Sequence, residues 1–236
     1  MEKFSNWRDK GTGITPFIQS NPRFSLISLP VILVKLPIFI FLLPLALLNI
    51  SIIKSFILKF LFNFESKIPR LNKDLVYITN YSSPLLAFVV NLPINIPIDK
   101  EIQSFSTWTY ILHSLGYEVK GKKVKEMKRG ILLIEGTPSN NKCILKFETF
   151  DTSISGKLGT LIVKFQPNWV NTPVPTNPFS YLIGLMNFEK KFCNIKVVDH
   201  RENLERCKRD FDNSNLKLVN FGLIDKKEFW KYKLEN

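Results

Sequence analysis

Leu75-Val76-Tyr77-Ile78-Thr79-Asn80-Tyr81-Ser82-Ser83-Pro84-Leu85-Leu86-Ala87-Phe88 is the stretch from which the fold is read. Leu75–Thr79 is a short run of β-branched, aromatic and aliphatic residues, the composition of a buried strand. Asn80–Ser83 is small and polar, so it reads as a tight turn that offers helix caps. Pro84 suits the first turn of a helix, where its missing N–H is no loss, and apolar residues continue to Val90. A strand that ends in a polar turn and opens a helix is where α/β folds place ligand chemistry. The plain alternative is an ordinary strand-to-helix connection.

Outward from this turn the same alternation recurs. Ile94–Ile98 reads as a strand, with Pro93 and Pro97 marking strand ends or an edge. Glu101–Leu115 has helical apolar spacing, closed by Gly116. Tyr117–Lys120 reads as a strand, and Lys122–Arg129 as a basic helix ended by Gly130. Ile131–Ile134 is a second buried strand, running directly into Glu135-Gly136-Thr137. Thr160–Phe165, Ile195–Val198 and Leu216–Val219 are further strands. Helices are expected over Pro178–Phe188, near Arg201–Phe211 and over Lys226–Leu234. Strands alternating with helices predict an α/β fold with a mostly parallel sheet flanked by helices.

Upstream, the composition changes. The chain has 236 residues, is 45% hydrophobic and carries a net charge of +13. Much of the apolar content sits in Phe24–Phe62, where no charge lies between Lys35 and Lys54. That gap approaches the roughly 20 residues a spanning helix needs. Pro30, Pro37 and Pro44 recur every seven residues and are expected to kink or break a helix. Basic residues flank both ends, which fits a segment returning to the cytosolic face. Ser51, Lys54, Ser55 and Lys59 make one polar stripe among Ile52, Ile53, Phe56, Ile57, Phe60 and Leu61. Such a helix would lie in a bilayer interface with its lysines toward the headgroups. A membrane-embedded hairpin or helix pair is therefore expected, ahead of a single span or a buried soluble helix. The organisation reads as a polar arm (1–23), a membrane-embedded hairpin (24–63) and an α/β domain (64–236). The arm, with Trp7 beside Arg8, suits either an interface or an unstructured tail.

The positive charge favours an anionic partner. A nucleic-acid partner is not expected, since no recognition motif accompanies the basic residues. Cys143, Cys193 and Cys207 are far apart and form no Cys-x-x-Cys pair, so neither a disulfide framework nor a metal site is expected. His113 and His200 are the two histidines, and neither belongs to a strand-end turn. Both read as surface or hydrogen-bonded structural residues.

Asn80-Tyr81-Ser82-Ser83-Pro84-Leu85-Leu86 and Ile134-Glu135-Gly136-Thr137-Pro138-Ser139 together resemble two blocks of the PlsC-type glycerolipid acyltransferases. The first block of that family reads Asn-His-x-x-x-x-Asp and the third Phe-Pro-Glu-Gly-Thr-Arg-Ser. The arm Met1–Ile14 and the run Asn140–Phe147 resemble the fungal branch that acylates lysophosphatidate from oleoyl-CoA at the endoplasmic reticulum and lipid droplets. The resemblance implies a membrane-bound enzyme on the cytosolic face, with membrane lipids, lysophosphatidate and acyl-CoA as partners. Acyl-CoA would be a co-substrate, with no cofactor. In that family the block-one histidine is the general base and the aspartate orients it. Here Tyr81 stands at the histidine position and Leu86 at the aspartate position. The substrate-binding positions implied are Asn80, Ser82, Ser83, Glu135, Gly136, Thr137 and Ser139. Pro138 replaces the family arginine, and Lys142 is the nearest substitute cation. Thr172-Pro173-Val174-Pro175 matches the fourth block. Two functions stay open: a lysophosphatidate acyltransferase with a degenerate motif, and a non-catalytic lipid- or acyl-CoA-binding relative.

Overall fold

The computed structural model describes residues 5–19, 26–48, 50–66 and 70–235. Its strands, in chain order, are β1 (Phe64–Ser66), β2 (Leu75–Thr79), β3 (Ile94–Ile98), β4 (Glu101–Phe105), β5 (Lys122–Lys123) and β6 (Glu126–Met127). They continue with β7 (Gly130–Leu133), β8 (Cys143–Ile144), β9 (Ser153–Ile154), β10 (Lys157–Gln166), β11 (Lys191–Arg201) and β12 (Lys217–Leu218). The helices are α1 (Leu29–Leu47), α2 (Ser51–Phe56), α3 (Leu86–Val89), α4 (Thr107–Ser114), α5 (Pro178–Met186), α6 (Leu204–Asp212) and α7 (Leu223–Glu235). A π-helical turn, Ile57–Leu61, continues α2.

The main sheet has eight strands in the order β1-β11-β10-β2-β7-β3-β4-β5. β2 lies near its middle, parallel to β10 on one side and β7 on the other. The sheet is mixed: β11 runs antiparallel to β10, and β3-β4-β5 is an antiparallel meander on the far edge. All five residues of β2 are buried because its two faces serve two cores. Leu75 and Tyr77 enter the core shared with α1 to α5, while Val76 and Ile78 enter the core beneath α6. β7 repeats the pattern: Ile131 and Leu133 go one way, Leu132 the other. Side chains alternate along a strand, so an unbroken apolar run is what a centrally placed, doubly covered strand requires.

Three expectations fail along the meander. Glu101–Phe105 is not the start of a helix but the return strand of a hairpin, with Ile98 opposite Glu101 and Ile94 opposite Phe105. Asp99 and Lys100 both have positive φ, 51° and 66°, as a two-residue hairpin turn demands. The helix begins only at Thr107, where Ser106 Oγ accepts from Thr109 N. Tyr117–Lys120 forms no strand, and Lys122–Arg129 is not a helix. Lys122 and Lys123 instead charge the edge strand β5, where lysines discourage further pairing. Leu216–Val219 contributes β12, which pairs with β8 outside the main sheet.

α1 is continuous through Pro37 and Pro44, so the prolines do not break it. Ile32, Phe39 and Ala46, seven residues apart, form its buried stripe, while Leu33, Val34, Ile40 and Phe41 are exposed. Leu29–Ala46 is long and apolar enough to cross a membrane by length and composition, with mean hydropathy 2.4 and 17% of it buried. The expected polar stripe on α2 fails at one position. Lys54 is buried and donates to the carbonyls of Ala87 (2.6 Å) and Val90 (3.3 Å). Those carbonyls close α3, where unpaired acceptors and the helix dipole favour a cation. Ile52 and Phe60 are exposed in its place.

The described part of the arm, 5–19, is packed rather than loose. Phe17 is buried with Cys143, Leu145, Val174, Val219 and Phe229, and Trp7 meets Phe229 edge-on at 5.3 Å. The remainder of the arm, residues 1–4 and 20–23, lies outside the described residues, as do 24 and 25 at the start of the apolar segment.

Candidate functional site

β2 and β7 are adjacent parallel strands, so the turns that follow them leave the sheet at the same edge. The Asn80–Ser83 and Glu135–Thr137 turns therefore meet. Glu135 makes the junction: its Oε2 accepts from the Tyr81 N–H at 2.5 Å and its Oε1 from the Leu145 N–H at 2.6 Å. Ser139 N donates to the Tyr81 carbonyl at 2.8 Å, a second tie between the turns. Thr172 N donates to the Ser82 carbonyl at 2.8 Å, which brings the Thr172–Pro175 segment to the same place.

The other site residues fall into distinct roles. Asn80 clamps β2 to β10, donating to Val163 O at 2.7 Å and accepting from Val163 N at 2.9 Å. Ser83 Oγ donates to Val170 O at 3.0 Å, and Tyr110 Oη donates to the Ser83 carbonyl at 2.8 Å. Gly136 adopts φ +67°, and a Cβ there would lie 2.9 Å from Glu148 Cγ. Thr137 and Ser139 are buried beside it, and Ser139 Oγ reaches the Cys143 carbonyl at 3.3 Å. Leu86, on α3, is buried in the core shared with α1. Lys142 is exposed at the surface. Asn80, Tyr81, Ser82, Ser83, Glu135, Thr137 and Ser139 are all buried.

Two residues join this cluster: His113, read from sequence as a surface or hydrogen-bonded structural residue, and Lys226, to which no role was assigned. Tyr81 Oη lies 2.7 Å from His113 Nδ1 and 3.2 Å from Ser114 Oγ. Lys226 comes in from α7 and donates to the Pro138 carbonyl at 3.0 Å, so the cation beside the Glu-Gly-Thr turn is Lys226. Lys226 stands three residues before the buried Phe229, but α7 has no pronounced apolar face, so nothing in its own pattern marked it. The signal for His113 was its adjacency to Ser114 and to Tyr110, one turn earlier, which face the core.

Burial sets the protonation of this cluster. It pushes the Tyr81 phenol well above the ordinary tyrosine range. It drives the His113 imidazole down to about 4, with the Lys226 charge adding to the effect. Burial raises the Glu135 carboxyl, opposed by its two N–H donors and by Lys226, and the donor on each oxygen is the arrangement that favours the ionised form. Lys226 is lowered to about 7 by burial, opposed by Glu135. A neutral phenol is no base, and both Glu135 oxygens are occupied by backbone donors, so the carboxylate acts as a brace between turns. Among the described residues, no three His, Cys, Asp or Glu side chains gather as a metal site.

The chain is 29% identical to lysophosphatidic acid:oleoyl-CoA acyltransferase 1 of Saccharomyces cerevisiae over 253 aligned positions, covering 83% of this chain and 82% of the yeast protein. No family model matches the chain, and no solved structure matches it.

Proposed function

We propose that this protein is a membrane-bound acyltransferase that moves an acyl chain from acyl-CoA to lysophosphatidate, at the cytosolic face of the endoplasmic reticulum and of lipid droplets. The observation that carries the reading is the Glu135–Tyr81 junction, which joins the two acyltransferase-like turns in a chain similar to the yeast enzyme. The site shares its core with the apolar helices: Tyr81 and Leu85 belong to the same cluster as Ile32, Phe39 and Ile57. The site thus lies on the face of the sheet that carries the apolar helices, the side a bilayer would meet if it covered the exposed faces of α1 and α2. Residues 24–63 would be the embedded segment and 64–236 the acyltransferase-like domain.

The reaction asks little of the protein beyond positioning and one proton acceptor. The acceptor hydroxyl attacks the thioester carbonyl carbon, its proton leaves, the C–S bond breaks and CoA departs as a thiol. Orientation alone supplies a large share of such a barrier. The protein in mixed micelles with oleoyl-CoA and lysophosphatidate is expected to release phosphatidate and free CoA in equal amounts. Rates no higher than a protein-free control overturn the reading.

A second reading, a non-catalytic lipid or acyl-CoA binder, is favoured by the fully buried phenol of Tyr81 and the inert Leu86. The double variant Tyr81→His with Leu86→Asp separates the two. A silent parent that gains activity supports the second reading, and an active parent rejects it.

A further inference from the structure

Three groups, the Ser114 hydroxyl, the Tyr81 phenol and the His113 imidazole, form a hydrogen-bonded chain that starts at the Tyr110 carbonyl. Ser114 Oγ lies 2.8 Å from the Tyr110 carbonyl, which can only accept, so the serine proton points there. In one arrangement the serine oxygen then accepts from Tyr81 at 3.2 Å, which uses the single phenol proton; in the other that proton goes to His113 Nδ1. In the first arrangement the imidazole Nδ1–H donates across the 2.7 Å contact to Tyr81 Oη; in the second Nδ1 accepts there, and the tautomer distinguishes the two. A neutral imidazole protonated at Nδ1 carries its lone pair at Nε2. Tyr81, Tyr110 and Ser114 are wholly buried, whereas His113 is partly exposed, so the chain ends toward the surface at the imidazole.

From this geometry we infer that His113, oriented by Tyr81, is the base that deprotonates the acceptor hydroxyl. The inference rests on the acyltransferase reading above and adds a residue from outside both turns. His113 Nε2 takes the hydroxyl proton as the oxygen attacks the thioester, and returns it to the departing CoA sulfur. Tyr81 is a positioning residue: it stands where the resembling family has its histidine and holds a different histidine through Nδ1. The groups facing the ring are Tyr81 from the turn after β2, Phe105 of β4 with ring centroids 5.2 Å apart, Ser114 of α4 and Lys226 of α7. Burial holds the ring neutral across the physiological range, so in the first arrangement Nε2 starts unprotonated, while the same burial weakens it as a base.

The test has two independent arms. The chain holds two histidines. In ¹⁵N-histidine-labelled protein, His200→Asn leaves the His113 signals alone, and asparagine tolerates the positive φ of 57° at position 200. The expected spectrum shows a protonated Nδ1 and an unprotonated Nε2, with the pattern shifting toward the Nε2–H form in Tyr81→Phe. A wild-type Nε2–H tautomer overturns the inference. In the acyl-transfer assay, His113→Ala should lower kcat by about 10²–10⁴-fold with little change in KM, and added imidazole should restore part of it. His113→Gln, a milder change, should show the same loss without rescue. Unchanged kcat in these variants of an active parent overturns this inference alone. An inactive parent overturns the acyltransferase reading and this inference with it, whatever the tautomer.

Discussion

Replacing Glu135 by alanine removes the acceptor of two buried backbone N–H groups at once. Tyr81 N and Leu145 N lie 2.5 and 2.6 Å from the carboxylate oxygens, and Glu135 itself has no exposed surface. Each orphaned buried donor costs about 1–3 kcal/mol, so the variant should lose roughly 2–6 kcal/mol. Chains of this length melt about 2–4 °C lower per kcal/mol, which places the expected fall in melting midpoint near ~10 °C. Glu135→Gln retains one carbonyl oxygen and turns an NH2 toward the second donor, so it should fall between the two. The measurement is thermal or urea unfolding in detergent, followed by tryptophan fluorescence. An alanine variant that unfolds with the wild type refutes the claim that this carboxylate braces the two turns. The same arithmetic bears on activity: lost acyl transfer in Glu135→Ala is interpretable as chemistry only if the Gln variant, better folded, loses it equally.

Three further outcomes are expected. His113 titrates near 4 in the folded chain against about 6.5 unfolded, so the unfolded chain binds the extra proton first. The stability this gives is complete above pH 6.5 and is lost as pH falls toward 4, an effect of about 3 kcal/mol. Urea midpoints at pH 7.5 and 4.5 should therefore differ less in His113→Gln than in the wild type, and an equal difference would contradict the burial argument. Gly136→Ala puts a side chain at φ +67° and within 2.9 Å of Glu148 Cγ; unfolding should show a loss of about 1–3 kcal/mol. Leu33 and Phe41 are exposed on α1. Replacing either by aspartate should weaken co-sedimentation with phospholipid vesicles, since a charge at mid-helix costs about 2.5–3.5 kcal/mol in a bilayer.

Elements whose environment is written locally were legible. β2 and β7 are unbroken apolar runs because both faces are covered. α5, α6 and α7 lie close to their expected ranges, and Gly116, at φ +97°, closes α4 as expected. The meander was not legible. Ile102 and Phe105 fit a helical spacing as well as a strand, and the hairpin is decided by Asp99 and Lys100 adopting positive φ, which few residues announce in advance. Lys54 fails for a related reason: a stripe pattern shows which residues share a face, not what that face will meet.

The two turns were recognisable from residues alone, because strand-ending polar segments carry their own signature. Their meeting was not, since it depends on β2 and β7 lying side by side across a long separation in sequence. Still less visible were His113 and Lys226. One comes from a helix that follows a hairpin, the other from the last helix, and no local pattern relates either to Tyr81 or Glu135. Local composition determines strands, caps and greasy faces through short-range sterics and hydrophobicity. Which buried donors and acceptors find each other is decided by sheet order and packing, as the meeting of Tyr81 with Glu135 and His113 shows.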